Sequence, residues 1–267
     1  MSGVFDGWVD LQGAVNVRDV GGLPTVDGRV TRRGVLLRAD NLQDLSEHDV
    51  DHLLRERGLR TVIDLRSTGE LHLAGQTPLQ RTDVRHHHLS LIPETPGESD
   101  HAEVDRAVPR RPARAGDSRN DMTGYYVGYL EDAPHNVAAA LRLLADAETG
   151  TALVHCAAGK DRTGTIVALA LSLVGVTREA VIADYVRSAE RIEGVLARLK
   201  AASTYSDELA ETTVDDVRPV AGSMARLLDH VDREYGGVHG LAMAIGVHEE
   251  TVARLGARLV GTSAVAR

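Results

Sequence analysis

Short apolar runs and one long apolar helix dominate the hydrophobic pattern of the chain. Residues 61–65 and 151–154 are rich in Val, Ile and Leu and are bounded by polar or glycine positions, which is typical of buried strands. Residues 163–174 are apolar on every face and are followed by Gly175, which predicts a core helix that ends there. The centre of the chain therefore predicts a strand, a short loop and a buried helix in succession.

The remaining N-terminal pattern predicts further strands and one amphipathic helix. Val35–Leu37 and Val84–Leu91 read as strands, and Asp27-Gly28 between extended residues predicts a hairpin turn. Apolar residues recur at helical spacing over 42–57. Ser46, with Asp49 three residues later, is typical of a helix N-cap.

The C-terminal half is predicted to be helical. Helical patterns cover 125–130 and 137–147, and further helices begin near residues 177, 223, 237 and 248. Strands early, helices late and a strand–loop–helix unit at the centre predict an α/β, three-layer fold, with a mainly parallel sheet flanked by helices. We expect a single domain over 1–267, with a helical part at 176–267. The Pro- and Arg-rich segment 93–120 is expected to be a mobile loop or lid.

Composition narrows the possible partners and compartments. The formal net charge of −9 argues against a nucleic-acid partner. The N-terminus shows no secretory signal, and the longest apolar stretch, residues 166–176, is too short to span a bilayer. The sequence thus predicts a cytoplasmic protein without stable membrane insertion, and it leaves signal-free export and oligomeric state open.

Cys156 is the only cysteine, so an internal disulfide and a thiolate-based zinc site are both excluded. A lone cysteine is either a small buried apolar residue or a reactive thiol. The neighbouring residues distinguish between these two roles. The stretch HCAAGKDRTG (155–164) places His before the cysteine, Gly three residues after it, Arg at +6 and Thr at +7. This coincidence favours the reactive thiol.

Each position of this loop has a chemical use. Backbone amides of residues 157–163, at the start of a helix, would form an anion cradle whose field favours the thiolate of Cys156. Arg162 would hold two phosphoryl oxygens with its planar fork, and Thr163 would donate its hydroxyl to the sulfur. Gly159 permits a tight turn, and His155 would pack behind the loop and bond its carbonyls. The candidate substrate-binding residues are Ala157, Ala158, Gly159, Lys160, Arg162 and Thr163.

CxxGxxRT after a strand is the signature of the cysteine phosphatase superfamily, and HCAAGKDRTG resembles the loop of the bacterial tyrosine phosphatase family. The resemblance extends over most of the chain through five further stretches. These are NVRDVGG (16–22), RRGVLLRAD (32–40), TVIDLRS (61–67), VIADYVRS (181–188) and YGGVHGLAMAIGV (235–247). It implies a four-stranded parallel core, a phospho-cysteine intermediate formed on Cys156, and no cofactor or metal.

Phosphoester cleavage also needs a proton donor for the leaving oxygen, and three readings remain open. Asp64 ends a predicted strand beside the Cys156 loop, and the resemblance makes this DLR aspartate the usual candidate; a structural ion pair with Arg66 is its alternative role. Asp161 lies inside the loop and could donate the proton or orient Arg162. The third reading is an aspartate of the mobile segment, such as Asp117 or Asp121.

Three other features are interpreted more modestly. His86, His87 and His88 alternate across a predicted strand, so at most two of them can converge and a metal site is not expected. Tyr125, Tyr126 and Tyr129 have helical spacing, which predicts a packed helix face first and a lid over an aromatic substrate second. The arginines of the mobile segment are interpreted as solvated: Arg106, Arg110, Arg111 and Arg114.

The sequence therefore predicts a protein tyrosine phosphatase of broad, dual specificity. The first alternative keeps the mechanism with a phosphoinositide as substrate, and the resemblance associates the loop lysine, Lys160, with that tolerance. The second alternative is a phosphate-binding module without turnover. Redox chemistry such as arsenate reduction is excluded by the lack of a resolving cysteine.

Overall fold

The computed structural model describes residues 7–93 and 121–261 of the 267-residue chain. The described strands, in chain order, are β1 (Arg18–Asp19), β2 (Val30–Thr31), β3 (Leu36–Ala39), β4 (Leu59–Asp64), β5 (Arg85–His88), β6 (Thr151–His155) and β7 (Val260–Gly261). Five of them form one sheet in the order β1-β3-β6-β4-β5, and β2 pairs with β7 in a separate two-stranded ladder. Strands β3, β6, β4 and β5 are parallel, and β1 is an antiparallel edge. The α/β fold and the four-stranded parallel core are thereby confirmed.

The described helices surround this sheet. They are α1 (Glu47–Asp51, continued by a π-helical turn at His52–Glu56), α2 (Thr68–Ala74), α3 (Thr123–Asp132), α4 (Pro134–Ala145), α5 (Asp161–Leu173), α6 (Arg178–Val186), α7 (Ile192–Ala201), α8 (Ser206–Leu209), α9 (Val214–Val217), α10 (Ala221–Tyr235), α11 (Val238–Ala244) and α12 (Glu249–Leu259). Short 3₁₀ turns lie at Pro78–Arg81, Ala147–Thr149 and Arg187–Glu190. Within the described ranges, no helix is long and apolar enough to cross a membrane.

Alternate residues of the central strands enter two different core clusters. Ile63 and Val154 pack with the helical layer that contains α4 and α5, whereas Val62 and Leu153 pack on the opposite face with the α1 region. Strands covered on both faces need apolar residues at consecutive positions. This is why residues 61–65 and 151–154 appear in the sequence as continuous apolar runs.

Parallel pairing gathers the carboxyl ends of three strands at one edge. In the register of the sheet, His155 at the end of β6 lies opposite both Ala39 of β3 and Asp64 of β4. The segments that follow these residues therefore start side by side. This edge carries the Cys156 loop.

Two predicted elements have different bounds in the structure. The predicted helix over 42–57 begins only at Glu47, because Ser46 is extended and caps it together with Asp49 in the predicted capping arrangement. Asp49 also accepts the amides of Gln12 and Gly13, so the cap anchors the N-terminal segment. The predicted strand over 84–91 is shorter and spans Arg85–His88.

The predicted helical part is present, since α6 to α12 cover most of residues 178–259. It ends in an unpredicted strand, β7, which returns to pair with β2 beside the Asp27-Gly28 turn. The predicted mobile loop or lid at 93–120 lies, apart from Pro93, outside the described residues. Asp117 and the four arginines of that segment lie outside them as well.

Candidate active site

The loop from Cys156 to Lys160 joins the end of β6 to the start of α5 and forms the floor of a cavity of about 210 Å³. The side chain of Cys156 is almost fully buried, with 2% of its surface exposed. Apolar walls rise from α3 and from the α7–α8 region, and polar groups lie on the floor. The floor residues that line the cavity are Cys156, Ala157, Ala158, Lys160, Asp161 and Arg162.

The carbonyl groups of this loop all point away from the cavity. Asn41 N donates to Ala157 O (2.9 Å), Asn16 Nδ2 donates to Ala158 O (2.9 Å), and Arg38 Nη2 donates to Gly159 O (2.8 Å). In a trans peptide the N–H points opposite to the C=O, so the amides of residues 158–160 face the other way, toward the cavity. This orientation, at the N-terminus of α5, is the one that an anion cradle requires.

Gly159 is required by close contact as well as by its backbone angle. Its φ is +65°, and a Cβ built there would lie 2.4 Å from Ala39 O and 2.6 Å from Asp40 N. The first contact is to the last residue of β3 and the second to the residue that follows it, and both are backbone atoms. The glycine therefore allows the loop to pack directly against the end of the neighbouring strand, β3.

A buried ionic network fixes the scaffold that holds the loop. Asp184 of α6 pairs with Arg18 of β1 (2.9 Å) and with Arg38 of β3, the residue that binds Gly159 O. Burial raises the pKa of Asp184, but the charges of the two arginines outweigh it and lower the pKa to about 2. Asn16, Arg18, Arg38 and Asp184 come from three of the stretches that carry the family resemblance. The sequence does not reveal that these four residues act together.

Arg162 is held by Glu70, a residue that the sequence analysis did not select. The Glu70 carboxylate takes both terminal nitrogens of the guanidinium, through Nη1 and through Nη2 (2.9 Å), and Leu65 O accepts a further bond from Nη1 (3.4 Å). A guanidinium has five N–H groups. Among the residues that the structure describes, these three bonds leave one N–H on Nη2 and the N–H on Nε, the pair whose side-on fork suits two phosphoryl oxygens.

Burial lowers the pKa of Arg162, but the charge of Glu70 and the proximity of Cys156 outweigh it and raise the pKa well above its usual value. Glu70 is itself fully buried and accepts bonds from Ser67 N (2.7 Å) and from the Tyr205 hydroxyl (3.1 Å). Ser67 and Glu70 form a capping box at the start of α2. That S-x-x-E spacing directly after the DLR motif was the available sequence signal for Glu70.

Asp64 lies behind the loop rather than in the cavity. Arg66 binds both oxygens of its carboxylate (2.6–3.1 Å), and His155 Nε2 lies 3.3 Å from Oδ2. Burial raises the pKa of Asp64, but His155 and Arg66 outweigh it and hold the pKa well below its usual value. Through its other nitrogen, His155 meets Cys156 O at 3.3 Å, behind the loop as the sequence predicts. Asp64 thus forms the ion pair with Arg66 that the sequence left open.

Asp161 lines the cavity together with Cys156, and the other carboxylate in the lining, among the described residues, is the exposed Glu208 of α8. Its Oδ1 accepts a hydrogen bond from the Tyr126 hydroxyl (2.5 Å), and its Oδ2 lies 3.5 Å from Lys160 Nζ. Lys160 is buried and donates to Val217 O of α9 at 2.7 Å. Lys160 therefore ties α9 to the cavity floor.

Two further candidates from the sequence, Thr163 and Asp121, do not line the cavity. Thr163 is fully buried, and its hydroxyl makes no hydrogen bond within the part of the chain that the structure describes, so the predicted bond to the sulfur is not formed in this geometry. Asp121 caps the approach to α3 by bonding Thr123 N (3.0 Å), and it pairs with Arg226 (3.0 Å). It does not line the cavity.

The tyrosines of α3 form the predicted packed helix face, and two of them also reach the cavity. Tyr126 is fully buried in the core, as a packed helix face requires, while Tyr125 and Tyr129 line the cavity wall. The remaining wall residues are apolar for the most part, among them Ile92, Ile192, Val195, Leu196 and Leu199. On β5, His88 bonds Arg66 O (2.8 Å).

Comparison with known proteins gives one family. Residues 9–261 match the family described as "Tyrosine phosphatase family". The triple specificity protein phosphatase PtpB of Mycobacterium tuberculosis is 30% identical over 290 residues, which cover 94% of this chain and 99% of that protein. A putative tyrosine-protein phosphatase of Cupriavidus necator is 32% identical over 178 residues, covering 66% of this chain and 61% of that protein.

Among solved structures, the Siw14 catalytic core is a remote likeness. It is 13% identical, and the match covers 79% of this chain and 94% of that one with a TM-score of 0.36. This similarity is too low to carry a functional argument.

Proposed function

Because the chain belongs to the tyrosine phosphatase family and is a cysteine-dependent phosphatase, we propose that it hydrolyses phosphotyrosine in the cavity above Cys156, with phosphoserine and phosphothreonine as further substrates. One observation carries this proposal: the nucleophile, the free fork of Arg162 and the carboxylate of Asp161 all line one apolar-walled cavity. The PtpB relative is named a triple specificity phosphatase, which supports the breadth of the proposed substrate range.

In the first step, the amide cradle and the two free N–H groups of Arg162 hold the phosphoryl oxygens. The sulfur of Cys156 attacks phosphorus, the S–P bond forms and the P–O bond to the leaving group breaks. A proton passes from Asp161 to the departing oxygen. In the second step, water attacks phosphorus while Asp161 takes a proton from it, the S–P bond breaks, and inorganic phosphate leaves.

The cavity walls favour an aromatic substrate. Cys156 lines the cavity together with Tyr125, Tyr129 and the apolar face of α7. The part of the substrate that carries the phosphoryl group therefore has two requirements: it must be long enough to reach Cys156, and it must contact these apolar residues. A phenyl ring meets both requirements and buries its apolar surface, whereas serine and threonine side chains are shorter. We therefore expect phosphotyrosine to be the preferred residue.

A phosphoinositide is the second candidate, and it is favoured by Lys160, whose ammonium group lies in the cavity lining. That group is already engaged by Val217 O and faces Asp161, which lessens the charge it offers to a lipid headgroup.

The substrate class is tested by comparing kcat/KM for a phosphotyrosine peptide, the matching phosphoserine and phosphothreonine peptides, and a phosphoinositide in mixed micelles. We expect the phosphotyrosine peptide to exceed the phosphoinositide at least about tenfold, because the aromatic ring adds wall contacts that the inositol ring lacks. The same lipid without its phosphate, added to the peptide assay, controls for micelle effects. A reversed ratio would make the lipid the substrate.

We propose Asp161 as the proton donor, since it lines the cavity and Asp64 does not. Asp64 is paired with Arg66 and His155 behind the loop, and against the effect of burial these partners lower its pKa, which disfavours the protonated form that a proton donor needs. The proposed role of Asp64 is to orient His155 and through it the loop.

Asp161→Asn is expected to lower kcat/KM about 100-fold for phenyl phosphate and much less for p-nitrophenyl phosphate, because the better leaving group needs less protonation. The measurement is the dependence of kcat/KM on leaving-group basicity across a series of aryl phosphates. Asp64→Asn is the matched control, which we expect to lower all rates by a similar factor. If Asp64→Asn steepened that dependence and Asp161→Asn did not, the two roles would be reversed.

A further inference from the structure

Two buried tyrosines form a hydrogen-bonded chain that ends on Asp161. The Tyr126 hydroxyl of α3 lies 2.5 Å from Asp161 Oδ1 and 2.7 Å from the Tyr185 hydroxyl of α6. The backbone N–H of Val220 faces the Tyr185 oxygen. Both tyrosine side chains are essentially excluded from solvent.

The hydrogen bonds between Tyr185, Tyr126 and Asp161 all run in one direction. The Tyr126 hydroxyl donates its proton to Asp161 Oδ1, an oxygen that accepts both in the carboxylate and in a carboxyl group that carries its proton on Oδ2. The Tyr126 oxygen then accepts from Tyr185, whose own proton is directed at Tyr126. Burial, followed by the negative charge of Asp161, raises the pKa of both tyrosines, so both remain protonated donors.

This arrangement distinguishes the two oxygens of Asp161. Oδ1 is occupied by Tyr126, whereas Oδ2 faces Lys160 Nζ at 3.5 Å. A proton to be transferred therefore has to be carried on Oδ2. Lys160 is anchored to Val217 O, so residues 217–220 contact both sides of the group, through Lys160 and through Tyr185.

We propose that Tyr126, held by Tyr185, is a positioning residue for proton transfer: it fixes Oδ1 of Asp161 so that Oδ2 delivers the proton to the leaving oxygen. This inference rests on Asp161 as the proton donor. As the P–O bond breaks, the Oδ2–H bond breaks and the proton goes to the leaving oxygen. The negative charge left on Asp161 is stabilised by the hydrogen bond from Tyr126. In the second step Oδ2 receives a proton from the attacking water.

Tyr126→Phe removes the hydrogen bonds of the Tyr126 hydroxyl to Asp161 and to Tyr185 and keeps the ring. The ring of Tyr126 stacks on Tyr129 and meets Tyr185 edge-on, each with centroids 6.1 Å apart, and phenylalanine preserves both contacts. The charged and titratable neighbours of Asp161 are otherwise unchanged; they are Cys156, Lys160, Arg162 and Tyr185. A change in rate can then be assigned to the lost hydroxyl.

The test measures kcat/KM of the wild type and of Tyr126→Phe, Tyr185→Phe and Asp161→Asn over the aryl phosphate series. We expect Tyr126→Phe to lower kcat/KM about tenfold for phenyl phosphate and less than about twofold for p-nitrophenyl phosphate. This change has the same direction as that of Asp161→Asn but is smaller. Tyr185→Phe should lose about threefold with phenyl phosphate. Tyr235→Phe on α10, which does not line the cavity, is the matched control and should behave as the wild type.

The possible failures are separable. Equal losses for all leaving groups in Tyr126→Phe would mean a packing role and would overturn the positioning proposal. A second outcome would also overturn it: Tyr126→Phe and Tyr185→Phe keep the wild-type dependence of kcat/KM on the leaving group, while Asp161→Asn shows a steeper dependence. In that case Asp161 would remain the proton donor. A wild-type dependence in Asp161→Asn would overturn the donor assignment and the positioning role with it. If Tyr126→Phe does not fold, the response of Tyr185→Phe decides alone.

Discussion

Cys156→Ser is expected to abolish hydrolysis, with kcat reduced by about four orders of magnitude or more, as happens when a covalent nucleophile is removed. A serine hydroxyl stays protonated at neutral pH and needs a base to attack phosphorus. The imidazole nearest to the loop, His155, lies behind it between Asp64 and the Cys156 carbonyl, so it cannot take that proton. The amide cradle and the Arg162 fork are unchanged, so a phosphotyrosine peptide should still bind with an affinity within about threefold of the wild-type KM.

The measurement combines aryl phosphate hydrolysis with calorimetric titration of the phosphotyrosine peptide. Because the chain has a single cysteine, alkylation of the wild type provides an independent control: iodoacetamide should inactivate it, and vanadate or phosphate should protect. Hydrolysis by folded Cys156→Ser at a rate near that of the wild type would refute the covalent mechanism.

Gly159→Ala is expected to lower kcat/KM by about three orders of magnitude, because it displaces the cradle that binds the phosphoryl oxygens. The new Cβ would lie 2.4 Å from Ala39 O, a backbone atom of β3 that cannot rotate away, and the residue would keep a φ of +65°. The loop must therefore move off the strand end. Several oxyanion donors would be lost together, and removal of one such donor costs about 100- to 1000-fold.

The control is Gly28→Ala in the turn between Thr25 and Arg29. Gly28 has a φ of +82°, but a Cβ there meets no atom within 4 Å. It therefore carries the strain of the left-handed backbone without the clash, and we expect a loss of about 1 kcal/mol in the free energy of unfolding with unchanged kcat/KM. Thermal unfolding and hydrolysis are measured for both variants. Wild-type activity in Gly159→Ala would show that the loop can bind the phosphoryl group in another conformation, and it would contradict this prediction.

Local pattern was sufficient for the parts of the molecule whose signal is contiguous. The continuous apolar runs at 61–65 and 151–154 predicted strands buried on both faces, and the apolar residues 163–174 predicted a core helix; α5 spans Asp161–Leu173. The capping spacing at Ser46 predicted a helix start, although the helical periodicity before it led to a start several residues too early. A cap residue has to be extended, and this local requirement overrides the periodicity that precedes it.

The loop chemistry was also contained in one stretch. Cys156, Gly159 and Arg162 lie within seven residues of each other, so their spacing alone indicated a nucleophile, a tight turn and a phosphate clamp. The amides of a loop at a helix N-terminus need no distant partner to bind an anion.

Partners that are far apart in the chain were determined only by the tertiary structure. Glu70 and Arg162 are 92 residues apart, Tyr126 is 35 residues before Asp161, and Tyr185 lies 59 residues beyond Tyr126. Strand register places Asp64 opposite His155, at the edge of the sheet that also carries the loop with Asp161, so both carboxylates were open as donors from the sequence. What separates them is side-chain direction: Asp64 faces Arg66 and His155 behind the loop, whereas Asp161 lines the cavity. Hydrophobic periodicity records which face of an element is buried but not which polar groups meet there. The sequence by itself therefore determined the fold class and the cysteine loop, and the packing of α2, α3 and α6 around that loop decided that Glu70 holds Arg162 and that Asp161, rather than Asp64, lines the cavity.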